Sequence, residues 1–302
     1  METDRYRHVL SLLFGNVWAI MPEKLNDIIA CIKFRLAHGQ LTASEIEARI
    51  GKPKSRVKAV KGDVAVMPVF GVLAHRMNMM TDISGGSSTE ELGAQFAELA
   101  NDPSIGAIVL DVDSPGGTIH GMAEMSAQIH AARNPDRPII AVANDLMASA
   151  AYWIGSAADE IVIGPNAYVG SIGVIALHAD ESEFNKKLGF KYELISAGKY
   201  KTEGNPFEPL GDEAKAEAQR QVDLIYADFV KDVARNRGVK QSTVKGNVFG
   251  EGRVFTGLDA IERNMADRQG TLADTVSRLL GKGRAVESRA AMADFDILRM
   301  EA

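Results

Sequence analysis

The chain has 302 residues, 46% of them hydrophobic and 25% charged, which is enough to bury a core in one large or two small domains of ordinary globular composition. Its 40 acidic against 34 basic side chains leave a formal charge of −6. That balance excludes a broadly basic surface for nucleic acid or acidic lipid, so the expected polymer partner is protein. The single cysteine, Cys31, cannot form an intramolecular disulfide, and the fold does not depend on an oxidising compartment.

The apolar stretch from Val9 to Met21 is interrupted by Ser11, Gly15 and Asn16 and is shorter than the roughly 20 residues that a membrane span needs. Arg5, Arg7 and His8 precede it as basic residues precede a signal sequence, but it runs into Met21-Pro22-Glu23-Lys24 without a small-residue cleavage site. The expectation is a chain that is neither exported nor anchored and works in the cytoplasm. Lys24 to His38 reads as helical, and Thr42 with Glu45 fits a capping box opening a second short helix. The basic stretch Lys52-Pro53-Lys54-Ser55-Arg56 reads as a connector. Residues 1–60 are therefore expected to form an N-terminal accessory arm.

From Asp63 short apolar runs alternate with amphipathic segments, the pattern of an α/β domain over residues 61–282. Strands are predicted at Val64 to Val69, Ala107 to Val112, Ile139 to Ala143, Glu160 to Ile163 and Tyr192 to Ser196. Ser88-Thr89-Glu90-Glu91 fits a capping box ahead of Leu92, Phe96 and Leu99 at helical spacing. Met122, Met125 and Ile129 repeat at helical spacing too, the usual mark of core filling. The longest predicted helix is Asp212 to Arg237, with Ala218, Val222, Ile225, Phe229 and Val233 on one face and Gly238 as its cap. Residues 283–302 carry no core pattern and are expected to form a mobile tail.

Four segments could carry chemistry. Asp113-Ser114-Pro115-Gly116-Gly117 follows a strand, and its two glycines let successive N–H groups point into open space, as an oxyanion hole requires; a plain tight turn would read the same. Ser149 lies between small residues in Met147-Ala148-Ser149-Ala150-Ala151-Tyr152, where a nucleophile would be sterically accessible, although a close-packing contact would also explain it. Ser171 sits between Gly170 and Gly173, a pattern that also marks a bulge. Lys199 and Lys201 lie just past a predicted strand. A lysine acts as general base only when neutral, which burial can bring about, whereas a solvated loop lysine does nothing of the kind. None of the six histidines falls in the Val169 to Val174 segment that follows the Ser149 helix, so a Ser-His-Asp triad is not expected; His120, just beyond Gly117, could approach the site but reads equally as a helix-surface or substrate-facing residue. One cysteine and no close-spaced histidine pair give no zinc pattern, and neither metal nor cofactor is expected.

In order along the chain, Val64 to Val72, Leu110-Asp111-Val112-Asp113-Ser114-Pro115-Gly116-Gly117, Met147 to Tyr152, Val169-Gly170-Ser171-Ile172-Gly173-Val174, Ser196-Ala197-Gly198-Lys199-Tyr200-Lys201 and Gly252-Arg253-Val254-Phe255-Thr256-Gly257 resemble the S49 family of serine peptidases. That family includes the signal peptide peptidase A group and its phage head-maturation relatives. The resemblance implies Ser149 as nucleophile, Lys201 as general base, Ser171 as the residue orienting the lysine, and backbone N–H groups around Gly116 and Gly117 as oxyanion hole. It implies a ClpP/crotonase-like core of stacked strand-strand-helix units that forms homo-oligomers. A polypeptide substrate would bind as an extended strand beside Gly116 and Gly117. Two positions depart from the family pattern: Ala150-Ala151 stand where a glycine pair is usual, and Asn264-Met265-Ala266-Asp267 where Gly-Leu-Val-Asp is common. Asn16-Val17-Trp18-Ala19-Ile20-Met21-Pro22 resembles the phage branch. That implies scaffold, capsid or portal proteins as substrates in the host cytoplasm or the assembling head. The alternatives are a cellular peptidase that degrades signal peptides, an acyl-CoA enzyme using the same oxyanion turn, and a non-catalytic assembly protein on this scaffold.

Overall fold

A computed structural model describes residues 17–38, 59–61, 63–76 and 86–281. The capping box at Thr42, the connector at Lys52 and the expected tail beyond Lys282 lie outside them. Within them, the core is built from repeats of one unit in which a long strand enters a large sheet, a short strand enters a second sheet, and a helix returns. In the first unit these are β3 (Val64–Phe70), β4 (Leu73–Ala74) and, after the short strand β5 (Ser87–Ser88), α2 (Thr89–Asn101); in the second, β6 (Ala107–Ser114), β7 (Gly116–Thr118) and α3 (Met122–Ala131). The third unit has no short strand. Its long strand β8 (Ile139–Ala148) passes directly through Ser149 into α4 (Ala150–Gly155).

The large sheet runs in the order β12-β10-β8-β6-β3-β2, with β9 (Glu160–Ile163) also on β8; β10 is Tyr168–Gly170, β12 Val254–Thr256 and β2 Ala59–Lys61. β3, β6, β8, β9 and β10 run parallel to their neighbours among these long strands. Parallel strands are buried on both faces, which is why they read as unbroken apolar runs. Ala65, Met67, Val69, Ile108, Leu110 and Val112 face one core with Phe96 and Met125. Val64, Val66, Ala107 and Val109 face the other way, against Leu272, Val276 and Leu279 of the terminal helix Leu272–Gly281. Burying a side chain such as Phe96 completely stabilises the fold by about 2–3 kcal/mol. Ser88 caps α2 as its sequence predicts: its Oγ accepts from the Glu91 N–H at 3.3 Å and donates to the His75 carbonyl at 2.9 Å.

The second sheet has the order β11-β1-β7-β4-β5, where β1 is Val17–Ile20 and β11 is Ile175–Ala176. β1, which the sequence places in the accessory arm, thus lies inside this sheet. It leads into α1 (Pro22–His38), whose Leu25, Ile28 and Ile32 pack on Trp18, Ile20 and Val72.

Among the described residues the longest helix spans Asp212–Arg237 with left-handed Gly238 as its cap, as predicted. Only its second half is in the core, through Phe229, Val230, Val233 and Ala234. The strand expected at Tyr192 to Ser196 is absent: residues 190–196 have no regular structure and are exposed, because no strand among the described residues lies beside them to pair with. This stretch belongs to an outlying segment that carries exposed Phe184, Leu188, Phe190, Leu194 and Ile195, the last 96% exposed.

Candidate active site

Ser149 occupies the elbow between β8 and α4 with φ 54° and ψ −120°. A non-glycine residue there is strained by about 1–3 kcal/mol and persists only where its surroundings fix it. They do so here: the Ser149 N–H donates to the Gly170 carbonyl at 2.7 Å, and its carbonyl accepts from the Trp153 N–H at 3.0 Å. All six residues of α4 are buried, and its large side chains are pinned at their polar tips. Trp153 stacks on Phe229 at 4.4 Å and donates to Asp232 Oδ2 at 2.8 Å; the Tyr152 hydroxyl donates to the Met265 carbonyl at 2.9 Å. Burial pushes the Tyr152 phenol far above its ordinary range, so it remains a neutral donor. At the far end of α4 the Arg133 guanidinium donates to the carbonyls of Ser156, Ala157 and Ala158, and to that of Asn236, at 2.7–3.2 Å. It thereby satisfies acceptors that a helix terminus leaves unpaired.

Ser171 has the same unusual backbone, with φ 53°. It follows β10, which pairs in parallel with β8 so that Gly170 stands opposite Ala148. The ends of two neighbouring strands therefore carry Ser149 and Ser171 side by side. The Ser171 N–H donates to the Arg253 carbonyl at 2.7 Å, and Gly170, at φ 125°, has no room for a Cβ beside that same carbonyl.

Gly116 and Gly117 lie in β7, a short strand rather than the open turn the sequence suggests. Gly116 has φ 96°, and a Cβ there would stand 2.9 Å from the Ser149 Cβ and 3.0 Å from the Ala150 nitrogen. Gly116, the elbow serine and the first N–H of α4 thus converge on one point, while Gly117 packs against the Leu73 backbone. The Gly116 N–H donates to Ser114 Oγ at 3.2 Å. Ser149 Oγ is buried with no hydrogen-bond partner.

Lys201 is not at this point. It sits in the outlying segment, exposed, with its N–H donating to the Gly198 carbonyl at 3.1 Å. Lys199, the competing base, is held as an ammonium: hydrogen bonds to the Tyr200 hydroxyl and to Glu213 Oε1, both 2.9 Å, raise its pKa. His120 lines a separate cleft with His75, Thr89, Glu90 and Glu124. Sequence reasoning missed two participants, the Ala150 N–H and the Arg253 carbonyl. Both are backbone groups, so their side chains carry no signal. No helix among the described residues is long and apolar enough to cross a membrane, and no cluster of three metal-binding side chains occurs among them.

The sequence profile of peptidase family S49 matches residues 131–286, just over half of the chain and including Ser149, Ser171 and Lys201. Among curated proteins, the chain is 31% identical over 241 residues to the head-tail preconnector protein GP5 of Enterobacteria phage P21, covering 80% of this chain and 47% of that protein. It is 30% identical over 292 residues to the capsid assembly protease C of Escherichia phage lambda, covering 91% of this chain and 66% of that one. The chain thus spans about half to two thirds of the length of these relatives. Among solved structures it is similar to the 1510-N membrane-bound stomatin-specific protease, with 13% identity, 73% of this chain and 86% of that one covered, and a TM-score of 0.46. The chain belongs to peptidase family S49.

Proposed function

We propose that this chain is a serine endopeptidase in which Ser149 attacks the scissile carbonyl, Lys201 takes up its proton, and Ser171 orients the lysine. The backbone N–H groups at Gly116 and Gly117 receive the oxyanion. The observation that supports this reading is the strained, fully buried elbow at Ser149, beside Gly116 and bonded through its backbone to the residue before Ser171, in a chain of a peptidase family. In the reaction the Ser149 oxygen bonds to the carbonyl carbon as its proton passes to a neutral Lys201 amine. The amine then hands that proton to the departing nitrogen, and water hydrolyses the resulting ester.

Closing the dyad requires the segment carrying Lys201 to dock. Its exposed Phe184, Leu188, Phe190, Tyr192 and Ile195 form the kind of apolar surface that soluble monomers seldom leave uncovered. Assembly of several copies into a homo-oligomer covers that surface and brings the amine to a serine.

The substrates proposed are proteins of phage head assembly: scaffold, capsid or portal protein. Support comes from the relatives named as a capsid assembly protease and a head-tail preconnector protein. On this reading the enzyme acts in the host cytoplasm or the assembling head. The test is to incubate the purified chain and its Ser149→Ala variant with such proteins and map new termini by mass spectrometry. Defined internal cuts made by the wild type alone support the proposal; identical products from both proteins, or none from either, contradict it.

A further inference from the structure

The second sheet puts part of this chain's own backbone where the substrate strand is expected. β1 lies between β7 and β11 and is antiparallel to both: Val17 and Trp18 stand opposite Ala176 and Ile175, while Trp18, Ala19 and Ile20 stand opposite Thr118, Gly117 and Gly116. The other side of β7 is taken by β4 at Leu73. The Met21 N–H donates to the Pro115 carbonyl at 2.9 Å, extending the ladder by one pair. Bonded pairs recur every second residue in an antiparallel ladder, which makes Ala19 and Gly117 such a pair. The N–H of Gly117, a candidate oxyanion donor, then meets the carbonyl of Ala19.

The side chains divide by the period of a strand. Trp18 and Ile20, 1% and 2% exposed, pack against α1 and Val72, while Ala19 joins the main core with Ala150 and Ala151. A Cβ on Gly116 would collide with the Ala19 carbonyl oxygen and also meet the Ser149 Cβ. One peptide carbonyl of β1 and the candidate nucleophile thus both stand against Gly116. Ser149 Oγ is meanwhile covered and unpartnered.

We infer that Val17–Ile20 occupies the peptide track in the register of a substrate and blocks it, with Ala19 at the place of the residue whose carbonyl is attacked. A polypeptide enters by displacing this strand. It presents a small side chain where Ala19 lies and large apolar ones where Trp18 and Ile20 lie. The inference rests on Ser149 as nucleophile and adds to it the class of peptide the site accepts and the device that closes it.

A reversible lock tests this on the full chain. Val17→Cys and Ala176→Cys, with Cys31→Ser, place two cysteines at a register pair whose Cα spacing of about 4.5–5.5 Å suits a disulfide. In a Ser149→Ala background, which separates binding from chemistry, a fluorescent peptide copying Asn16 to Glu23 is titrated against oxidised and reduced protein, both checked for intact folding. A tethered strand competes at an effective concentration on the order of millimolar, so locking it weakens binding at least about tenfold. Equal affinity in the two states, or no binding in either, overturns the inference. Trp18→Ser with Ile20→Ser, which removes the anchors, strengthens binding over the chain with native β1 by about tenfold on the same grounds; unchanged affinity in a folded sample overturns it too. If Ser149 is restored and the peptide binds only the reduced form yet is not hydrolysed, the assignment of the nucleophile fails while the place of the strand stands.

Discussion

The backbone N–H of Ser149 donates to the carbonyl of Gly170 at 2.7 Å, and this bond fastens the end of β8 to the end of β10. Because Ser171 is the next residue, the two serines with left-handed backbones are set by one strand pairing. Side chains complete the fixation, Asp232 and Phe229 holding Trp153 and Ser114 Oγ accepting from the Gly116 N–H.

At φ 54° a glycine is relaxed where serine and alanine are strained. Ser149→Gly and Ser149→Ala should therefore both abolish hydrolysis but differ in stability. The glycine variant is expected to unfold about 2–4 °C above the alanine variant, the shift corresponding to about 1 kcal/mol in a protein of this size. Differential scanning calorimetry of the two variants checks this.

Gly116→Ala brings a methyl group against the Ala19 carbonyl and the Ser149 Cβ, at a φ of 96° that alanine tolerates poorly. Overpacking and backbone strain together are expected to cost about 2–4 kcal/mol and to lower peptidase activity at least about a hundredfold, as loss of oxyanion geometry does. Urea unfolding and initial rates measure the two effects separately.

Arg133 bonds to carbonyls at the ends of two helices, one of which begins at Ser149. Arg133→Met keeps much of the side-chain volume but leaves those acceptors unpaired. A loss of about 2–4 kcal/mol is expected, readable as a lower denaturation midpoint at unchanged slope.

The Arg237 guanidinium grips Asp267 with two bonds of 2.7 and 2.8 Å, and the Ile161 N–H adds a third at 2.7 Å. Burial alone would raise the Asp267 carboxyl, but the hydrogen bonds and charge of Arg237 outweigh it and hold the group below the usual carboxylate value. A carboxylate depressed in the folded state adds stability that is complete above its unfolded pKa of about 3.9 and fades as pH falls through the folded one. Asp267→Asn should thus cost about 2 kcal/mol at neutral pH, a modest figure for a buried pair because Asp267 is 35% exposed. The gap between variant and wild type should close in acid, below about pH 4. Unfolding curves across that range decide the point.

The buried strands at Val64, Ala107, Ile139 and Glu160 were legible because both faces of a parallel sheet are apolar, and the Asp212–Arg237 helix because glycine ends it. The positive φ at Ser149 and Ser171 was not legible, since nothing in a serine side chain announces a backbone that its neighbours impose. β1 was missed for a similar reason: four residues give little periodicity, and its partners lie about a hundred residues or more further along. Tyr192 to Ser196 reads as a strand by composition, but a strand exists only where another offers it hydrogen bonds.

The most direct test of the account is a double-mutant cycle on the hydrolysis of a protein the enzyme cuts, using wild type, Ser149→Ala, Lys201→Ala and the combined variant. If serine and lysine act as one unit, each single change lowers kcat/KM by at least about a thousandfold, and the pair together does scarcely more. A Lys201→Ala enzyme that keeps wild-type rates, or losses that multiply in the double variant, would contradict the dyad.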